Sequence, residues 1–124
     1  LDKITNISRK ILPIYWVFLT FLLLKPGSES DEYFYGISYF DKFAHLSTFF
    51  LLGFLFIASI PRLKFGVLML FMFSFAVITE ILQEKMQLGR AMEIMDIVAD
   101  TVGAFFGGLT YLCIKYIKCR KMQN

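Results

Sequence analysis

Apolar residues run through this chain in four blocks with short polar punctuation between them. Ile7 to Leu24, Phe40 to Ile60, Phe65 to Leu82 and Ile94 to Ile117 are each long enough, or nearly so, for the ~20 helical residues that cross a bilayer core. The punctuation is made of helix stops and turns. Lys25-Pro26-Gly27 ends the first block, Pro61-Arg62-Leu63-Lys64 is a tight basic turn, and Leu88-Gly89-Arg90 reverses the chain before the fourth, with Gly89 suited to a positive φ or a helix C-cap. The pattern predicts an all-α polytopic membrane protein, a bundle of four transmembrane helices forming one domain over residues 1–124. The tight turn predicts that the second and third helices are antiparallel neighbours. Pro13 and Tyr15 interrupt the first block, so a cleaved signal peptide with Lys3, Arg9 and Lys10 as its basic region is the rival reading there. No small-x-small cleavage site precedes Lys25, and the helix is preferred.

Composition agrees with the pattern: 57% hydrophobic and 18% aromatic residues are too many for a soluble domain of 124 residues. Charge then sets the orientation. Nine of the thirteen Lys and Arg residues (Lys3, Arg9, Lys10, Arg62, Lys64, Lys115, Lys118, Arg120 and Lys121) fall on one side of the bundle, and of the ten acids only Asp2 joins them. By the positive-inside tendency that side is cytoplasmic and holds both termini. The formal net charge of +3 is therefore two opposed faces and gives no sign of a nucleic-acid partner. Membrane lipids are the expected partners, with the basic tail Lys115 to Lys121 resting against anionic headgroups. Cys113 and Cys119 lack a CxxC pattern and read as free thiols. The loop from Ser28 to Tyr39 starts acidic and turns aromatic, as an interfacial anchor does, and could also cover a ligand entrance.

The fourth block carries the unusual chemistry. In a helix opening near Glu93, Asp96, Asp100, Gly103 and Gly107 fall at i, i+4, i+7 and i+11 and form one stripe. Gly103 and Gly107 make a flat groove for close helix packing, within the chain or in a homodimer. An ionisable residue inside a membrane helix is a functional hypothesis by default. Up-and-down topology brings the start of the second helix and the end of the third to the same outer level. Asp41, Lys42 and His45 can therefore meet Glu80, Gln83, Arg90, Glu93, Asp96 and Asp100. Asp41 also suits a helix start, whereas His45, the single histidine, would lose hydration for nothing if idle. Arg90 is placed to pair with Glu80, Glu93 or Asp96, and its planar fork can hold phosphate or carboxylate. Five acids (Asp41, Glu80, Glu93, Asp96 and Asp100) would face only Lys42 and Arg90. Either some carboxyls keep a proton or a cation binds. Asp41, His45, Asp96 and Asp100 are the candidate ligands of a divalent cation, although no diagnostic motif such as HExxH is present.

The same residues carry a family resemblance. Asp41-Lys42-Phe43-Ala44-His45, Glu80-Ile81-Leu82-Gln83, Gly89-Arg90, and Asp96 with Asp100, Gly103 and Gly107 resemble the ordered pattern D-K-x-x-H, E-x-x-Q, G-R, D-x-x-x-N-x-x-G-x-x-x-G of VanZ-like membrane proteins. The resemblance implies a small protein of the bacterial cytoplasmic (inner) membrane, in a family whose founding members are linked to resistance to the glycopeptide teicoplanin. Asp100 stands where the family pattern has Asn, which adds an acid and favours a protonated carboxyl or a cation contact over a neutral amide.

Three functions are compatible with these residues. The first is a non-enzymatic outer-leaflet pocket that binds a lipid-linked cell-wall precursor or a lipoglycopeptide through Asp41, Lys42, His45, Glu80, Gln83, Arg90, Asp96 and Asp100. The second is an intramembrane hydrolase or transferase on an envelope lipid, with His45 or Glu80 as catalytic base. The third is a proton-coupled transporter.

Overall fold

The computed structural model describes residues 2–25, 38–86 and 93–122. They form four helices: α1 (Asp2–Leu24), α2 (Ser38–Ser59), α3 (Phe65–Lys85) and α4 (Ile94–Lys121). Each is long and apolar enough to span a membrane, so the chain is an all-α multi-pass membrane protein. Each helix outruns its apolar block at one end, α1 and α4 by the most. α1 begins in the polar stretch before Ile7, and α4 continues through the basic tail to Lys121. α1 also passes through Pro13 without a break. A proline in a helix interior deletes one backbone donor, a loss that membrane helices tolerate when neighbouring elements hold the segment in place. Most of the acidic and aromatic loop of Ser28 to Tyr39, and the turn with Gly89 and Arg90, lie outside the described residues.

The helices form a ring in the order α1, α2, α4, α3, and among the described residues α1 and α4 do not touch. α1 sits against α2 and α3. Trp16 wedges edge-on between Phe56 of α2, at 5.5 Å, and Phe75 of α3, at 5.6 Å, while the Tyr15 hydroxyl donates to the Thr48 carbonyl at 2.9 Å. Leu19 and Leu23 complete the apolar centre with Phe49, Leu52, Leu68, Met72, Ala76 and Ala104. α1 is thus an integral wall of the bundle.

The tight turn after α2 led us to expect α2 and α3 as close neighbours. They do meet, through Phe49 and Phe75 at 5.7 Å and Phe56 and Phe71 at 6.0 Å, but the most extensive contact is between α2 and α4. Contacts between Lys42 and Asp96, His45 and Asp100, and Lys115 and Pro61 join residues 54, 55 and 54 positions apart. A constant offset of this kind means that α2 and α4 run parallel, start beside start. Small residues permit the approach. A Cβ on Gly103 would collide with the Leu46 carbonyl oxygen, one on Gly107 with that of Phe50, and one on Gly53 would lie 2.8 Å from the Ala104 Cα. The adjacent Gly108 faces the other way, toward Leu68 and Phe65 of α3. Gly103 and Gly107 are therefore covered by α2 of the same chain.

This contact yields a stability test. Gly107→Leu forces backbone apart from backbone and should cost at least ~2 kcal/mol, the scale of overpacking a tight interior. Gly66 is the control, because a methyl group there would meet nothing within 4 Å, and Gly66→Ala should be neutral or slightly stabilising. Unfolding of both variants in lipid bicelles measures the difference.

Candidate functional site

The parallel start of α2 and α4, together with the end of α3, gathers ionisable side chains at one end of the bundle. Asp41, Lys42 and His45 come from the first turns of α2, Glu80 from the last two turns of α3, and Asp96 and Asp100 from the first turns of α4. On α2 and α4 the acids and the histidine recur at i and i+4, so each pair points the same way. These groups are deep. His45 is 5% exposed, Glu80 2%, Asp96 6% and Asp100 0%.

The Lys42 ammonium donates to Glu93 Oε2 at 2.6 Å and to Asp96 Oδ1 at 3.1 Å, stitching α2 to the start of α4. One turn deeper, His45 Nδ1 and Asp100 Oδ1 lie 2.9 Å apart. With Asp100 ionised, Nδ1–H is the donor, and Nε2 keeps its lone pair. Asp100 Oδ2 is buried with no hydrogen-bond partner among the described residues. Glu80 Oε2 accepts from the Glu93 backbone N–H at 3.3 Å, satisfying an otherwise open donor at the entry to α4. Glu80 also lies within Coulombic range of His45, Asp96 and Asp100.

Asp41, His45 and Asp96 each offer one ligand atom, and these atoms lie within 4.8 Å of one another. A carboxylate, an imidazole and a second carboxylate make a donor set that suits a divalent ion of the zinc or manganese type. The same arrangement can hold a proton between carboxyls or receive an ammonium or hydroxyl group from a ligand.

The family signature described as VanZ/LLP1 matches residues 4–115, nearly the whole chain. The chain belongs to the VanZ/LLP1 family. No curated protein and no solved structure matches it.

In this VanZ/LLP1 protein six of the residues singled out from sequence (Asp41, Lys42, His45, Glu80, Asp96 and Asp100) share one site. Gln83 does not join them. Its amide Nε2 donates to the Leu23 carbonyl at 2.6 Å, capping the end of α1, so its part is to hold α1 in place. Arg90 lies outside the described residues. Of the two cations expected to face the acids, Lys42 does so within the described residues. Tyr111 is a residue that sequence reasoning passed over. It is fully buried, its hydroxyl has no partner among the described residues, and it continues the stripe four residues after Gly107. Its place on that stripe was the available signal.

The His45 and Asp100 contact can be tested by shape-matched substitution. Asp100→Leu leaves Nδ1–H buried without an acceptor and should cost about 1–3 kcal/mol. Asp100→Asn keeps an acceptor oxygen in the same position and should cost less than ~1 kcal/mol. Thermal unfolding of the two variants in one lipid mixture reads the order.

Proposed function

We propose that this VanZ/LLP1 protein binds the polar head of a lipid-linked cell-envelope component, or of a glycopeptide carrying an acyl chain, at the outer leaflet of the bacterial cytoplasmic membrane. One observation carries the reading: buried carboxylates and a histidine from three helices converge at a single end of a membrane bundle. Such groups are costly in an apolar setting and are retained where they serve a site. Their donor-poor surroundings favour ligands rich in ammonium and hydroxyl groups, which the carboxylates accept. The exposed faces of Phe43, Ile94, Met95 and Val98 lie on the same turns and supply an apolar track for the ligand's tail. The resemblance to VanZ-like proteins, whose founding members are linked to teicoplanin resistance, supports a lipidated glycopeptide, whose acyl chain fits this division into head and tail. Orientation with the site outward and both termini cytoplasmic follows from the positive-inside tendency.

The His45 and Asp100 pair favours a second reading, an intramembrane hydrolase or transferase on an envelope lipid. A carboxylate on Nδ1 fixes the imidazole tautomer and leaves Nε2 to act as base. Transport is the weaker alternative. Among the described residues the buried acids are Glu80, Asp96 and Asp100, all at one end, and toward the other end no buried carboxylate, histidine, lysine or arginine follows them, only the Tyr111 hydroxyl.

Expression in a glycopeptide-susceptible bacterium tests the binding reading. Teicoplanin tolerance should rise several-fold, while tolerance to a glycopeptide without an acyl chain stays unchanged. His45→Ala and Asp96→Asn should abolish the gain at equal membrane levels. Unchanged teicoplanin sensitivity together with no binding of a labelled envelope glycolipid would sink it. Turnover of that glycolipid by purified protein, lost in His45→Ala, would favour the enzyme.

A further inference from the structure

We propose that Asp41, His45 and Asp96 form a divalent-cation site of the zinc or manganese class, with Asp100 as the residue that positions His45. The inference is independent of headgroup binding: a cation can sit here whether or not the site receives a lipid.

Three observations support it. The ligand atoms of Asp41, His45 and Asp96 already lie within 4.8 Å of one another, so one ion can touch all three without rearrangement of the helices. Asp96 is tied to Lys42 through Oδ1 only, which leaves its second oxygen for coordination. Most directly, Asp100 is 0% exposed, with one oxygen on His45 Nδ1 and the other without a hydrogen-bond partner among the described residues. An acceptor buried in this way is expensive unless a positive charge lies close by. A cation on His45 Nε2 places positive charge on the ring beside Asp100 and strengthens Nδ1–H as a donor to Oδ1, which offsets the charge of the buried carboxylate although Oδ2 gains no hydrogen bond. The arrangement of carboxylate, imidazole and metal is the usual way a protein fixes the tautomer and direction of a histidine ligand.

The donor set narrows the ion. One imidazole and two carboxylates suit zinc or manganese; calcium prefers a larger set of oxygens, and copper(I) prefers thiolate or thioether donors. Three protein ligands leave at least one position open, as in metal sites that take a water or a ligand oxygen. The ion also offsets part of the negative charge of Asp41, Glu80, Glu93, Asp96 and Asp100, against which the described cluster sets only Lys42.

Because His45 is the single histidine, tag-free protein labelled with 15N-histidine gives ring-nitrogen signals from this residue alone. The experiment uses the full chain in lipid nanodiscs, with Cys113→Ser and Cys119→Ser removing the free thiols as competing ligands. Zinc chloride should shift the Nε2 resonance while Nδ1 stays protonated, and gel filtration should retain one zinc or manganese ion per chain. Asp96→Asn and Asp41→Asn should weaken binding at least ~10-fold, and Asp100→Leu by ~10- to 100-fold, the usual effect of losing a residue that orients a ligand. The Nε2 shift in unsubstituted site residues keeps the test valid should a variant fail to fold. Absence of any Nε2 shift at saturating zinc and manganese would overturn the site, as would stoichiometric binding that Asp96→Asn leaves unchanged. The second result would mean that the ion is held elsewhere on the chain.

Discussion

The parallel contact between the backbones of α2 and α4 sets everything else in this molecule. In a bilayer there is no hydrophobic gain from bringing two apolar helices together, so association depends on close packing and polar contacts. Gly53, Gly103 and Gly107 remove the side chains that would hold the backbones apart. The closeness has a chemical result. It carries the first turn of α4 to the first turn of α2, where His45 meets Asp100 and Lys42 meets Glu93 and Asp96. Larger residues at the glycine positions would separate the helices and leave these groups buried without partners.

The polar side chains of the bundle divide into two kinds by what they satisfy. Some close backbone groups at helix ends. Gln83 serves the carbonyl end of α1, Glu80 the N–H entry of α4, and Arg9 donates through Nε to the Ser59 carbonyl that ends α2, at 2.9 Å. Open backbone groups are costly at membrane depth, so such residues stabilise the fold whatever the protein does. The others, Asp41, His45, Asp96 and Asp100, make no backbone cap and point to one another. Structural need accounts for the first set but not for the second, which is why the second is the candidate site of this VanZ/LLP1 protein.

The architecture was legible because it is written in the length of apolar runs, and four blocks became four helices with only their ends extended. The site was legible because i, i+4 spacing on α2 and α4 and up-and-down topology suffice to bring Asp41, His45, Asp96 and Asp100 to one level. The tightest pairing was not. A short turn makes α2 and α3 antiparallel neighbours, as Phe49 with Phe75 and Phe56 with Phe71 show, but the glycines on α2 and α4 decide which surfaces meet most closely. For the same reason the sequence left Gly103 and Gly107 open to a second copy, although α2 covers them. The bond from Gln83 to Leu23 was not legible either, because a polar residue at the end of a helix can face the site or an exposed carbonyl, and only the position of α1 distinguishes the two.

The coupling between His45 and Asp100 tests the central claim most directly, since it requires α2 and α4 to meet as described. A double-mutant cycle with His45→Leu and Asp100→Leu, followed by reversible unfolding in bicelles, isolates that pair from its surroundings. A coupling energy of about 1–3 kcal/mol is expected for two buried, hydrogen-bonded groups in contact. Additive effects, with coupling within ~0.3 kcal/mol of zero, would show that the two side chains do not meet and would contradict the site.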